Sequence, residues 1–117
     1  MINEKWLELT QVCPFIDAFP ECGDGWFDII SKLSRDLKSL GFTGRVVQIK
    51  EKFGGLRYYV SEASLEVYNR IDEAEKASYS TCELCGSPGK LTRPDGFWYQ
   101  TLCKKCLTRL KNTQGKK

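Results

Sequence analysis

The sequence contains no histidine, and this absence removes the side chain that most often transfers protons near neutral pH. It excludes nucleophiles activated by histidine and zinc sites with histidine ligands, and it disfavours treble-clef nucleases, which use a histidine base. An acidic cluster, Glu21, Asp24 and Asp28, lies near a glycine-rich turn. Asp24 is better explained as a helix N-cap and Asp28 as a first-turn acid. We therefore predict that the protein is not an enzyme.

Long apolar stretches are also missing. No run of 18 apolar residues occurs, so the sequence predicts no transmembrane helix. Residues 1–8 carry acidic side chains where a secretory signal would need a basic start and an apolar core. We expect a cytoplasmic protein with no membrane partner, in which thiols stay reduced.

Four cysteines in the last third of the chain follow the pattern C-x2-C-x17-C-x2-C: Cys82, Cys85, Cys103 and Cys106. Two such pairs can converge on one tetrahedral metal ion, and we interpret them as the ligands of a Zn2+ site. With four protein ligands the site would be closed, so the metal would hold structure rather than activate water. The alternatives are a pair of disulfides or four free thiols.

Two further cysteines lie in the first quarter of the chain. Cys13 precedes Pro14, and Cys22 follows a turn at Pro20-Glu21. We interpret both as small, partly buried thiols, and a disulfide between them or a metal role is the alternative.

The sequence around the four cysteines predicts a zinc-ribbon or treble-clef module over residues 81–117. Gly86 can take the positive φ that a tight cysteine knuckle needs. Lys90–Thr92 and residues 97–101 are expected to pair as a short hairpin, because turn residues lie between them. A short helix should start near the second cysteine pair, and residues 112–117 are expected to be a frayed tail.

Apolar residues recur at intervals of three and four over residues 25–40, which predicts an amphipathic helix that Gly41 ends. Residues 3–12 are expected to form a shorter helix with Asn3 as its cap. The residues of the longer helix that should face the core are Trp26, Ile29, Ile30, Leu33, Leu37 and Leu40.

A third helix is predicted over residues 62–79, with Ser61 as its cap. Its inner stripe is expected to comprise Leu65, Tyr68, Ile71 and Ala74. No linker rich in glycine or proline separates this helix from the first cysteine pair. We therefore expect an α+β fold in which a helix–hairpin–helix core, residues 1–80, packs against the cysteine module.

Residues 45–60 predict a β-hairpin that turns at Gly54-Gly55. A two-residue loop there would place Lys52 opposite Arg57 and Lys50 opposite Tyr59. One face would then be apolar except for Glu51, and would comprise Val47, Ile49, Phe53, Leu56, Tyr58 and Val60. The other face would collect Gln48, Lys50, Lys52, Arg57 and Tyr59.

This second face supplies candidate partner-binding residues, namely Lys50, Lys52, Arg57 and Tyr59. Three cations and a tyrosine on an open sheet face could contact an anion, a phosphate backbone or an acidic protein surface. The alternative is a solvated face whose lysines protect the edge of a sheet.

Charge is divided unevenly along the chain. Residues 1–80 hold ten basic and 13 acidic side chains, whereas residues 81–117 hold eight basic and two acidic ones. Lys104 and Lys105, next to Cys103, are therefore further candidates for partner binding. A basic zinc module with exposed aromatic residues, for which residues 97–99 are candidates, is typical of nucleic-acid binding.

Two blocks of sequence carry a resemblance to a known group. The first is Ile-Lys-Glu-Lys-Phe-Gly-Gly-Leu-Arg-Tyr-Tyr at residues 49–59, and the second comprises residues 81–89 with residues 101–106. Together they resemble small proteins encoded by bacterial phages and prophages, over roughly residues 24–106. The resemblance carries over the zinc ligands alone. It implies a bacterial host, in which small accessory proteins of this kind often bind and inhibit a host or defence complex.

These observations lead to one expected function and one alternative. We expect a zinc-stabilised, non-enzymatic binding protein that engages a bacterial protein complex, as anti-CRISPR proteins do. The alternative is a nucleic-acid-binding zinc protein or a small transcriptional regulator. The sequence leaves the oligomeric state open.

Overall fold

The structure, a computed structural model, describes residues 3–115, with side chains described through Lys111. The helices and strands follow one another along the chain in the order α1 (Glu4–Val12), β1 (Pro20–Glu21), α2 (Phe27–Ser39), β2 (Val46–Lys52), β3 (Gly55–Val60), α3 (Leu65–Ser78), β4 (Lys90–Thr92), β5 (Gln100–Leu102) and α4 (Lys104–Gly115). A 3-10 turn, Asp24–Trp26, leads into α2. Within residues 3–115, no helix has both the length and the apolar character needed to cross a bilayer.

The predicted α+β fold is confirmed: a helix–hairpin–helix core carries a four-cysteine module at its C-terminal end. The Asn3 side chain caps α1 by accepting a hydrogen bond from the backbone N–H of Trp6 at 3.1 Å. Gly41, with φ of 76°, follows the end of α2 as predicted. Asp24 does not cap a helix, because Gly23 holds the cap position and Asp24 begins the 3-10 turn.

The main core lies between α1, α2, α3 and the inner face of the first sheet. Its largest fully buried side chains include Trp26, Leu9, Ile30, Leu37, Ile49 and Leu56. The predicted stripe of α2 faces this core, with Ile29 and Leu40 at its partly buried margin. Ser34 of α2 is also buried, and its hydroxyl is 2.9 Å from the hydroxyl of Tyr58, so both polar groups are satisfied.

The first sheet has three strands in the order β1-β2-β3. Strand β1 pairs in parallel with β2, with Pro20 beside Ile49 and Glu21 beside Lys50. The sequence analysis missed β1, because two residues are too few to show the alternation that marks a strand.

The hairpin of β2 and β3 turns one residue earlier than predicted. Its loop is Phe53-Gly54, both with positive φ (55° and 85°), as in a type I′ turn. Lys50 therefore lies opposite Arg57, and the predicted pairing of Lys52 with Arg57 is wrong. The slip is two residues, and because side chains alternate with a period of two, Lys50, Lys52, Arg57 and Tyr59 still share a face.

Two predicted members of the apolar face are wrong. Phe53 is in the turn and exposed, and Val47 is exposed because the register shifts between Val46 and Gln48. This bulge brings Val46 into the core instead. Glu51 on the same face is satisfied, since its carboxylate accepts a hydrogen bond from the backbone N–H of Gly54 at 2.7 Å.

Helix α3 begins later and is rotated relative to the prediction. Ser64, not Ser61, caps it by accepting a hydrogen bond from the N–H of Val67 at 3.3 Å. Leu65 and Tyr68 are exposed, which contradicts the predicted inner stripe. The buried residues of the helix are Val67, Ala74 and Ser78.

The C-terminal end of α3 covers the open edge of β3. The backbone N–H of Leu56 donates to the hydroxyl of buried Ser78 at 2.9 Å, which satisfies an edge group that no strand pairs. Gly55 lies so close to Tyr79 that a Cβ there would overlap the phenol ring. The edge of the sheet is thus closed by a helix rather than protected by lysines.

We predict that Phe53→Asn stabilises the protein. Asparagine adopts the left-handed conformation more readily than phenylalanine, and the exposed Phe53 ring contributes little packing. The free energy of unfolding in urea should rise by up to about 1 kcal/mol, part of the cost of the left-handed conformation for phenylalanine. Gly54→Ala should lower it, because a Cβ at Gly54 would overlap the side chain of Leu91. A less stable Phe53→Asn variant would contradict this account of the turn.

Candidate metal centre

The four cysteines of the C-terminal module converge on one point. Cys82 and Cys85 lie in the loop after α3, Cys103 directly precedes α4, and Cys106 lies in its first turn. All four sulfur atoms are within 4.8 Å of one another, and the sulfurs of Cys85 and Cys103 are 3.6 Å apart. This cluster could hold a metal ion.

The spacing of the sulfurs fits a tetrahedral thiolate site. Zinc–sulfur bonds of about 2.3 Å place the sulfurs of a regular tetrahedron about 3.8 Å apart. The 3.6 Å separation of Cys85 and Cys103 lies close to that value. No disulfide joins any two of the six cysteines, all of which lie in the described part of the chain, so both disulfide alternatives drawn from the sequence are unsupported.

The first cysteine pair lies in a tight backbone knuckle. The N–H of Gly86 donates to the carbonyl of Cys82 at 2.9 Å, and the N–H of Cys82 donates to the carbonyl of Ser87 at 2.8 Å. Gly86 has φ of 82°, the positive value predicted from the sequence. In the second pair, the N–H of Cys106 points to the sulfur of Cys103 at 3.4 Å.

The local environment shifts the pKa values of Cys85 and Cys106 in opposite directions. Hydrogen bonds from Ser87 lower the pKa of Cys85 to about 6, which favours its thiolate at neutral pH. Burial and, to a smaller extent, the other thiols of the cluster raise the pKa of Cys106 to about 12. A bound cation would favour the thiolate form at every position, because thiolates are the form that ligates metals.

Cys13 and Cys22 lie outside the cluster. Cys13 is fully buried in the main core and Cys22 is half-buried at its margin, close to the predicted arrangement. Burial raises the pKa of both thiols, that of Cys22 to about 12, so they are poor nucleophiles.

The first knuckle is docked against the 3-10 turn before α2. Glu83, between the two cysteines of the pair, is buried, and its carboxylate accepts a hydrogen bond from the N–H of Gly23 at 2.9 Å. The backbone carbonyl of Glu83 accepts from the N–H of Gly25 at 2.7 Å. The indole N–H of fully buried Trp26 donates to the carbonyl of Thr81 at 2.9 Å. These three hydrogen bonds join the first knuckle and the residue before it to the start of α2.

A second contact joins the two hairpins. The hydroxyl of buried Thr101 in β5 donates to the carbonyl of Gly54 at 2.6 Å. A Cβ at Gly54 would overlap the Leu91 side chain and lie 3.2 Å from the Cβ of Tyr99. The tip of the β2–β3 hairpin thus rests on the β4–β5 hairpin.

Arg57 is the most strongly partnered of the sequence-predicted binding residues. Its guanidinium lies 3.3 Å from the carboxylate of Glu75 and 3.3 Å from the hydroxyl of Tyr79, with its side chain only 19% exposed. Lys50, half-buried beside it, also neighbours Glu21 of β1. Acidic neighbours therefore offset the like-charge pair, and Arg57 braces α3 against β3.

Lys52, Tyr59, Lys104 and Lys105 are exposed. Lys52 and Tyr59 lie on the sheet, whereas Lys104 and Lys105 lie in the first turn of α4, so the four residues are divided between two elements.

Helix α4 continues to Gly115, so the predicted frayed tail is wrong for residues 112–115, and residues 116–117 lie outside the described part of the chain.

Sequence reasoning missed two residues that position this centre, Glu83 and Gly25. A buried glutamate between two cysteines looks like any solvated acid in the sequence. The role of Gly25 depends on a backbone that approaches from the other module. Neither carries a local signal.

Comparison of the chain with protein-family models, with curated proteins and with solved structures gives no match.

We predict that Gly25→Ala undocks the first knuckle. A Cβ at this position would overlap the carbonyl of Cys82 and come within 2.6 Å of both the Glu83 carbonyl and the Gly86 nitrogen. The free energy of unfolding should fall by about 2–3 kcal/mol. Gly96→Ala is the matched control, because a Cβ there meets nothing within 4 Å and only its φ of 80° is unfavourable. Equal losses in the two variants would show that the close approach at Gly25 is not required.

Proposed function

We propose that Cys82, Cys85, Cys103 and Cys106 bind one Zn2+ ion, and that the protein is a zinc-stabilised, non-enzymatic binding protein. Its partner in this proposal is a protein complex of a bacterial host, engaged in the cytoplasm and inhibited by the contact. The resemblance of the sequence to proteins of phages and prophages supports this cellular context.

The observation that carries the proposal is the closed cluster of four sulfurs. Four thiolates complete the coordination of Zn2+ and leave no position for a water or a substrate. The knuckle that supplies two of them is docked through Glu83 and Gly25 onto the start of α2. The metal is therefore placed to hold two parts of the fold together, and any activity is left to the exposed surfaces.

We predict that the purified protein contains about one zinc ion per chain, as measured by elemental mass spectrometry. Chelation should raise backbone hydrogen exchange over residues 81–110, because metal binding contributes folding free energy in modules of this size. Since the knuckle is docked on the 3-10 turn, residues 23–26 should lose protection together with it.

Cys103→Ser should reproduce the effect of chelation. Cys22→Ala, a cysteine at the core margin, is the control and should retain both the zinc and the protection of residues 23–26. A chain that purifies without metal and keeps the same exchange pattern after chelation would contradict the structural role of zinc.

The binding function is tested by affinity capture from a bacterial lysate, with and without nuclease. The wild-type protein and Cys22→Ala should retain a stoichiometric protein complex after nuclease treatment, whereas Cys103→Ser should lose it. Capture that disappears completely with nuclease would refute a protein partner.

A further inference from the structure

Large apolar side chains are exposed where the tips of the two hairpins meet. They are Phe53 (65% exposed), Leu91 (43%), Phe97 (82%), Trp98 (66%) and Tyr99 (42%), and we call them the aromatic surface. Exposed rings in such number in one place mark an interaction site rather than chance surface composition.

The aromatic surface is held in place by the fold. Gly54, which follows Phe53, lies against the Leu91 side chain and the Cβ of Tyr99, so the tip of the β2–β3 hairpin meets the β4–β5 hairpin next to these residues. In the loop between β4 and β5, the carboxylate of Asp95 accepts hydrogen bonds from the N–H groups of Phe97 (2.9 Å) and Trp98 (3.4 Å). The rings are therefore presented on a constrained backbone.

Cations lie directly over two of the rings. The ammonium of Lys52 is 5.6 Å from the centre of the Phe53 ring, and the guanidinium of Arg93 is 5.2 Å from that of Tyr99. The carbonyl of Gly96 accepts one hydrogen bond from Arg93 at 2.6 Å, which leaves further N–H donors of the five on a guanidinium.

The two acidic residues of the cysteine module are each engaged by backbone N–H groups and are outnumbered by its cations. Residues 81–117 contain two acids, Glu83 and Asp95. The carboxylate of Glu83 is buried against Gly23, and that of Asp95 is bonded to the backbone of its own loop. The outer surface of the module is consequently cationic as well as aromatic.

We infer that the aromatic surface binds single-stranded nucleic acid, with bases stacked on Trp98, Phe53 and Phe97 and phosphates contacted by Lys52 and Arg93. Exposed rings interleaved with cations are the arrangement by which proteins hold single strands. In a duplex the faces of the bases are already stacked on one another, so they are not available to aromatic side chains. The repeated pairing of one ring with one cation matches the alternation of base and phosphate along a strand better than it matches a protein surface.

The inference rests on the proposed function in one respect, since the proposed metal would bind Cys103, which directly follows the β4–β5 hairpin that carries most of this surface. The tryptophan fluorescence of the protein can report binding at this surface. Trp6 and Trp26 are buried, so the exposed Trp98 should dominate any quenching of tryptophan fluorescence by a ligand.

The test is a fluorescence titration of the zinc-loaded protein with oligothymidylate and oligouridylate of about ten nucleotides, and with a duplex of the same length. We expect quenching by the single strands and none by the duplex. If about two cations contact phosphates, the logarithm of the association constant should fall with the logarithm of salt concentration with a slope near about −1.4. The DNA and RNA arms show which kind of strand is preferred.

Matched variants locate the site. Phe97→Ala should weaken binding at least about fivefold, as loss of one stacking ring does, whereas Phe19→Ala, with a ring 75% exposed near β1, should not. Lys52→Gln should reduce the salt slope by about 0.7, and Lys38→Gln on α2 should leave it unchanged.

Phe53→Asn separates binding from folding, because it should stabilise the turn and yet weaken binding at least about fivefold. The inference is overturned if neither single strand quenches Trp98, if the duplex binds equally well, or if Phe97→Ala and Phe19→Ala behave alike. A nuclease-resistant protein complex that is lost in Trp98→Ala, together with absent oligonucleotide binding, would overturn the inference and leave the proposed function standing.

Discussion

The contact between the first cysteine knuckle and the turn that begins α2 sets the arrangement of the rest of the molecule. Here two segments of backbone meet without intervening side chains, at Gly25 and the Cys82–Glu83 carbonyls, and the buried carboxylate of Glu83 closes the gap to Gly23. Burial raises the pKa of Glu83, and its hydrogen bond from Gly23 partly offsets that cost. The cysteine module, which has a small hydrophobic cluster of its own, is thereby fixed to the main core.

The second contact, between Gly54 and Thr101, fixes how the two hairpins lie relative to each other. With both contacts in place the module cannot rotate about the end of α3. One consequence is the cluster of exposed rings at the hairpin tips, which the fold presents rather than buries. The cationic sheet face predicted from the sequence is, by comparison, partly committed to structure, because Arg57 is paired with Glu75 and Tyr79.

The periodicity of apolar residues along the chain predicted the features of the fold that depend on local geometry. The predicted inner face of α2 was correct, because the apolar residues of this helix all lie on one side. In α3 two rotations are compatible with a period of 3.6, and packing chose the one that buries Val67 and Ala74 and exposes Leu65. The hairpin register was wrong by two residues, yet Lys50, Lys52, Arg57 and Tyr59 were correctly assigned to one face, because a slip of two preserves alternation. The turn position is supported by Glu51, which accepts a hydrogen bond from the N–H of Gly54 three residues later, and by the contact with Thr101, which lies 47 residues from Gly54 and is not local in the sequence.

The sequence by itself determined the α+β class and the grouping of the four cysteines, because hydrophobic periodicity and the spacing within each cysteine pair act over a few residues. The tertiary structure alone decided that Glu83 is buried, that Gly25 must lack a side chain, and that Arg57 is an internal brace. It also brought Gly54 beside Tyr99, residues that are distant in the chain. The physical reason is that burial and charge pairing depend on what packs against a group, and the partners of Glu83 come from a segment 60 residues away.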